Sequence, residues 1–275
     1  MRFTIDELSA AAHSCQWVTD VIALEETDST NLVGLRAAQD GAPHFTVIIA
    51  AHQTQGRGRH DRVWESPAGS SLTVSVVLRP NLVPEDWGHI PLLTGLGVSD
   101  GLREYAATMD GVDPDMIGLK WPNDVLIAEK KVCGVLLEAD IRSAHLDAKN
   151  AVVAGFGINV DWRGVTRPDA FAERATSLAE WAGCDIETPK VLTMVLNALS
   201  RQWSEVGNDP AASIARVRER LRTIGRSVSA LGDRPVQGTA IGITPQGHLV
   251  IMPDTVNSND NTPVIVRAAD VEHLR

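Results

Sequence analysis

IGLKWPNDVLIAEKKVCGVLLEA, residues 117–139, is the stretch from which the fold is read. It holds three short β-prone runs, Ile117–Trp121, Val125–Ala128 and Val132–Ala139, with turn residues between them. Pro122 fixes its own φ and biases Trp121 away from helical backbone, so it marks a turn between the first two runs. Glu129-Lys130 is expected to close a tight hairpin between the last two.

Upstream, Thr46–Ala51 is a continuous β-branched run of the kind a buried strand shows. Val18–Leu24 and Leu72–Leu78 read as further strands, as does Val152–Phe156 downstream. Helices alternate with them. Thr4 and Glu7 have capping-box spacing before Leu8, Ala11 and Ala12. Asp28 or Ser29 caps a helix that ends near Gly41. His89–Tyr105 is a third helix. Val191, Leu192, Val195, Leu196, Leu199 and Trp203 recur at helical spacing, and Ala211–Leu221 gives another helix. From Gly225 onward the pattern returns to short strands: Ser227–Ala230, Gln237–Ile243, His248–Met252 and Val264–Arg267. About 50 residues suffice for a small β-barrel. A boundary near Ile224–Arg226 divides the chain into 1–224 and 225–275. Pro253–Pro263, rich in Asp, Asn and Ser, is expected to be a mobile turn.

The chain has 275 residues, 44% of them apolar, and a formal net charge of −10. No apolar run reaches the roughly 18 residues that span a membrane. The first residues, MRFTIDELSAAAH, lack the layout of a signal peptide. A soluble, cytoplasmic protein is expected. Cys15, Cys133 and Cys184 are scattered, with no CxxC pair and no metal-type cluster. The acidic balance argues against general nucleic-acid binding, which draws on basic side chains. About two dozen residues precede Thr27, too few for a separate DNA-reading module, so no specific DNA partner is expected.

Basic and glycine residues therefore need a local purpose. Gln53-Thr54-Gln55-Gly56-Arg57-Gly58-Arg59-His60 follows a buried strand. Its glycines let backbone N–H groups approach an anion, and Arg57 and Arg59 add fixed charge. Such a loop can wrap phosphate or carboxylate oxygens; alone it is equally a solvated basic turn. Trp64 beyond it can stack on a purine, cover the loop, or pack in a core. Lys120-Trp121-Pro122-Asn123-Asp124 and Lys130-Lys131-Val132-Cys133-Gly134 bring a carboxylate and an ammonium to one sheet edge. Asp124 can hold Mg²⁺ with nucleotide phosphates or accept a hydrogen bond from a reacting group. Lys131 can neutralise charge developing on phosphorus. In Gly155-Phe156-Gly157-Ile158-Asn159, Gly157 admits a ligand close to the backbone and Asn159 can pair with a purine edge. Thr27-Asp28-Ser29-Thr30-Asn31 offers hydroxyls and free N–H groups at a helix start.

One by one these signals are weak. In this order, across roughly residues 22–162, TDSTN, QTQGRGR, KWPND, KKVCG and GFGIN resemble the biotin–protein ligase family, in the form without an N-terminal DNA-binding domain. GTAIGITPQGHLVI is similar, more loosely, to that family's terminal domain. The resemblance implies an α+β fold, a mixed β-sheet flanked by helices with a small C-terminal Src-homology-3-like β-barrel. It implies an ATP-dependent ligase that makes biotinyl-5′-AMP and passes biotin to a lysine of a biotin carboxyl carrier domain of acyl-CoA carboxylase. By resemblance, Ser29, Thr30, Asn31, Gln53 and Gly134 line the biotin pocket. Arg57, Gly58 and Arg59 close over the biotin carboxylate and phosphate, and Lys131 bridges the two. Gly56, Asn123, Asn159 and Trp64 fall with the nucleotide, and Asp124 with Mg²⁺ or the incoming amine. Lipoate or octanoate ligases share the fold but carry other motifs. A Cys133 nucleophile, as in acyl-transferring relatives, lacks a histidine base nearby in sequence. A non-catalytic biotin sensor is the alternative outside enzymes.

Overall fold

The computed structural model describes residues 3–64, 67, 69–81, 84–142, 150–166, 173–206, 209–231, 235–254, 262–267 and 269–274. Seven strands form one mixed sheet: β1 (Asp20–Thr27), β2 (Thr46–Gln53), β3 (Ser71–Leu78), β4 (Ile117–Lys120), β5 (Asp124–Ile127), β6 (Lys130–Asp140) and β7 (Ala151–Asn159). Their order is β1-β2-β3-β7-β6-β5-β4. β1 and β2 run parallel, joined through helix α2 (Thr30–Gln39), and every other pair is antiparallel.

Side chains alternate between the two faces with the strand period of two. Leu72, Val74, Val76 and Leu78 of β3 and Val152, Ala154, Phe156 and Ile158 of β7 enter the main core. That core also takes α1 (Ile5–His13), α3 (Ile90–Ala106), α5 (Thr188–Val206) and the apolar side of α6 (Pro210–Arg220). A short helix α4 (Leu178–Ala182), capped by Ser177 and Glu180, precedes α5. The opposite face carries a small cluster of Ala38, Ile48, Val77, Ala151 and Val153 under α2. Toward the other end of that face the apolar residues stop and polar residues and glycines begin.

The chain after α6 forms a five-stranded antiparallel sheet of β8 (Ser227–Leu231), β9 (Val236–Ile243), β10 (Leu249–Pro253), β11 (Val264–Val266) and β12 (Asp270–His273). Trp121 ties it to the large sheet. Its indole N–H donates to the Gly247 carbonyl at 2.9 Å, and its backbone N–H donates to Thr223 Oγ1 at 2.9 Å.

The hairpin turn differs from expectation. Ile127 pairs with Lys130, so the two loop residues are Ala128 and Glu129, at φ 46° and 72°. Two positive φ values are what a two-residue hairpin requires, but neither residue is a type that favours them. Helix α4 and strand β12 were not expected. The expected turn at Pro253–Pro263 lies largely outside the described residues. Among those residues no helix is long and apolar enough to cross a membrane.

Candidate active site

The floor of the site is the α2 side of the sheet. Cross-strand register places Thr73, Gly157, Gly134 and Asp124 in one row over β3, β7, β6 and β5, and Ser75, Gly155 and Leu136 in the next. Three glycines on adjacent strands strip side chains from this face and open a groove. A Cβ at Gly157 would lie 2.5 Å from the Trp64 ring, and one at Gly155 would lie 2.0 Å from Asn31 Oδ1. These are close approaches that only glycine allows.

A bulge in the β5–β6 pair makes the chemistry possible. Pairing shifts between Val125 and Leu126, so that Gly134 faces Asp124 but Lys131, three residues earlier, faces Leu126. The extra residue brings Lys131 and Gly134 to the same face; a Cβ on Gly134 would sit 2.9 Å from Lys131 Nζ. Lys131 Nζ then reaches Asp124 Oδ1 at 2.7 Å and lies 5.6 Å from the Trp64 ring centroid. Cys133 falls on the opposite, core-facing side, fully buried, and burial pushes its thiol pKa well up. A thiolate is the nucleophile in cysteine chemistry, so Cys133 packs rather than reacts.

Over the floor lie two cavities that share Arg57, Trp64, Gly134 and Leu136 in their lining. The first is a slot of about 30 Å³ lined by Ser29, Thr30, Asn31, Gln53, Thr73, Gly155 and Gly157, and roofed by Arg57 and Trp64. That is room for a water or so, and a ring system enters only if the roof lifts. Gln53 Oε1 accepts from the Thr30 backbone N–H at 2.8 Å, and Asn31 Nδ2 donates to the Leu136 carbonyl at 3.2 Å. The second cavity, about 510 Å³, opens past Gly134 toward β12. Arg57, Gly58, Arg59, Trp64, Asn123, Asp124, Lys131 and Asn159 line it. Asn159 donates to the Thr176 carbonyl at 3.0 Å, while its buried Oδ1 and the buried Trp64 Nε1 have no partner among the described residues. An unmet buried donor or acceptor costs about 1–3 kcal/mol.

The arginine loop is held at both ends. Arg57 pairs with Glu138 at 2.7 Å. Arg59 donates to the Ala269 carbonyl at 3.3 Å and to Asn123 Oδ1 at 3.3 Å, with Asp270 at 3.8 Å. Arg62 also pairs with Asp270. Gly56 lines neither cavity; its carbonyl accepts the Trp64 N–H at 2.9 Å where the loop's two arms meet.

Comparison with known proteins follows the same two-part layout. Residues 23–159 match the model of the biotin/lipoate A/B protein ligase family, and residues 223–274 match that of the biotin protein ligase C-terminal domain. A biotin–[acetyl-CoA-carboxylase] ligase of Mycobacterium tuberculosis (strain ATCC 25618 / H37Rv) is 35% identical, over 93% of this chain and 89% of that protein. The chain belongs to the biotin–protein ligase family. The bifunctional ligase/repressor BirA of Bacillus subtilis (strain 168) is 32% identical over 81% of this chain, which spans 66% of that protein. The biotin protein ligase from Aquifex aeolicus, solved in complex with biotin and ATP, superposes with a TM-score of 0.74 at 28% identity, covering 93% of this chain and 100% of that one.

For a biotin–protein ligase the residues absent from the sequence reading matter as much as those present. Thr73 and Ser75 sit under the slot, and Leu136 and Glu138 extend the glycine face of β6. Polar residues at period two inside the buried run Leu72–Val76 were the available signal for the first pair. Lys120, Arg174, Asp270 and Glu272 also line the larger cavity. Burial holds the Lys120 ammonium below the usual lysine range, with Asp124 acting the other way. No group of three His, Cys, Asp or Glu side chains among the described residues forms a metal cage. Asp124 is a single carboxylate, which suits a magnesium ion that arrives with phosphates rather than one the protein holds alone.

Proposed function

We propose that this chain activates biotin with ATP as biotinyl-5′-AMP and transfers it to a lysine of the biotin carboxyl carrier domain of an acyl-CoA carboxylase, in the cytoplasm. The observation that carries the reading is the junction of slot and cavity, where Lys131, Asp124 and the arginine loop meet on a floor of glycines. The ureido ring occupies the slot around Ser29, Thr30, Asn31 and Gln53, and its valeryl chain runs over Gly134 toward Lys131. A ring with N–H and C=O groups suits this polar floor; the dithiolane of lipoate offers it neither.

A biotin carboxylate oxygen attacks the α-phosphorus of ATP, and pyrophosphate leaves. Two unit charges 4 Å apart repel by about 4 kcal/mol at an effective dielectric of 20. Arg57, Arg59 and Lys131 lie where they can offset that repulsion, exchanging Glu138, Asp270 and Asp124 for the substrate's oxygens. Magnesium, bound by Asp124 with the phosphates, would add further charge neutralisation. Asn159 and Trp64 take the adenine, meeting the Oδ1 and Nε1 that have no partner among the described residues, while Gly58 and Asn123 frame the phosphate side and Gly56 acts only through the Trp64 N–H that its carbonyl holds. The loop excludes water from the anhydride. The carrier lysine then attacks the acyl carbon, AMP leaves, and the ammonium proton passes to solvent or to Asp124.

We also propose the division into a catalytic domain, 1–224, and a terminal β-domain, 225–275, with Asp270 of the latter clasping the former's loop. No specific DNA partner and no membrane enter this reading. The test is pyrophosphate release from ATP on adding biotin, followed by biotin incorporation into a carrier domain. Release with lipoate but not biotin would refute it.

A further inference from the structure

A third cavity, of about 210 Å³, adjoins the larger one along Arg59, Trp121 and Asn123, which line both. Gly88, Pro91, Leu92, Leu137, Gly247 and Arg267 line it and neither of the others. They come from the approach to α3 and its first turn, from β6 and from the terminal β-domain, so the cavity lies where the two sheets meet. Fixed contacts set its walls. The Trp121 indole is tied to the Gly247 carbonyl at 2.9 Å, and Asn123 Nδ2 donates to the Val135 carbonyl at 2.7 Å. Pro91, Leu92, Val135 and Leu137 make the lining apolar, yet it also holds two arginines, Arg59 and Arg267, and no carboxylate among the described residues. Arg59 is the loosely held member. Its contacts with Asn123 and the Ala269 carbonyl are 3.3 Å and that with Asp270 is 3.8 Å, against about 2.7–2.9 Å for a charge-assisted hydrogen bond.

Apolar walls with two positive charges fit one class of ligand, an amphipathic anion. An apolar cavity of about 150 Å³ takes up benzene, so this one has room for a tail of roughly six to eight carbons ending in a carboxylate. We propose that the third cavity is a separate inhibitory site for a monocarboxylate of that size, whose head group pairs with Arg267 and draws Arg59 away from the larger cavity. A carboxylate offers Arg59 a planar two-pronged contact that a carbonyl and an amide oxygen do not. Arg59 can hold that carboxylate or the reacting biotin carboxylate and phosphate, not both. The site itself needs only the cavity; the inhibition rests on the reading of Arg59 at the carboxylate–phosphate junction.

The experiment titrates octanoate into the full chain by calorimetry, alone and with saturating biotin, and follows biotin-dependent pyrophosphate release. Octanoate should bind in both titrations, and its inhibition should persist as biotin is raised, appearing as a lowered kcat. Octanamide, of the same size and uncharged, should inhibit at least about tenfold more weakly. Arg267→Ala should weaken octanoate binding about tenfold, the loss of one hydrogen-bonded charge, and leave turnover without octanoate unchanged. Leu137→Trp, which fills the cavity, should abolish binding; Pro91→Trp decides the point should that variant fail to fold. Displacement of octanoate by biotin would place it in the slot and overturn the proposal. So would unchanged binding in Arg267→Ala, or equal inhibition by octanamide. Binding that Arg267→Ala weakens, in a chain with no biotin-dependent release, would overturn the ligase reading and the inhibition while upholding the site.

Discussion

Lys131 shows how much of the site depends on one residue placed by one irregularity. Without the bulge, a residue three before Gly134 would face the core, as Cys133 does. Lys131→Ala should therefore leave the core untouched and slow biotin-dependent pyrophosphate release on the order of 100-fold, with biotin affinity changed far less. Near-normal release would contradict its role. The floor glycines make a sharper pair. Gly155→Ala drives a methyl into Asn31, which Ser75 and Leu136 hold in place. Overpacking of that kind costs about 1–3 kcal/mol, so thermal denaturation should show a lowered midpoint. Gly157→Ala meets instead the Trp64 ring, beyond the arginine loop and outside the main core. It should keep the midpoint and weaken ligand binding. Equal loss of stability in both variants would mean the floor is packing alone. The motif residues were legible because glycine, arginine and lysine at these spacings have few other uses. Ser75 was legible only as a polar residue at period two in a buried run, because a serine in a strand carries no local sign of the two side chains it bonds 44 and 45 residues away.

At the scale of elements, the loop from Gln53 to Arg62 is held by ion pairs to distant strands. Its arginines do not face one another across an empty anion site; Arg57 turns to Glu138 and Arg59 and Arg62 turn to Asp270. The partners come from β6 and from the start of β12, which is 208 residues from Arg62. No reading of local pattern finds such pairs, and β12 itself is too short and too charged to announce a strand. The turn at Ala128–Glu129 escaped for a related reason: strand pairing on both sides imposes positive φ on residues that do not favour it. The contacts are partly exposed, so each is worth no more than about 1 kcal/mol. Asp270→Asn should accordingly speed hydrogen exchange of the loop amides in the free protein by a few fold, and the acceleration should vanish when the adenylate is bound. Unchanged exchange in the free protein would rule out the clasp.

At the scale of the whole molecule, the two sheets meet at Trp121, Thr223 and His273. His273 Nε2 lies 3.2 Å from Thr223 Oγ1, and Lys120, Glu129 and Arg226 surround the ring. Burial and the Lys120 charge push its pKa down to about 4, against the pull of Glu129. The unfolded chain thus takes up a proton near pH 6.5 that the folded chain refuses until about pH 4. Stability from this group is present above pH 6.5 and lost as pH falls through that window. His273→Gln should flatten the fall in melting temperature between pH 6.5 and 4; an unaltered slope would exclude His273 as its source. We propose that one contiguous site joins a biotin slot to an adenylate cavity across Gly134, beside Lys131. The most direct measurement is a single-turnover experiment with biotin, α-labelled ATP and a carrier domain bearing its target lysine. The expected result is biotin-dependent pyrophosphate release, a labelled adenylate retained on the protein, and its discharge as AMP only when the carrier lysine is present. AMP formation independent of biotin, or an adenylate that the carrier does not discharge, would contradict it.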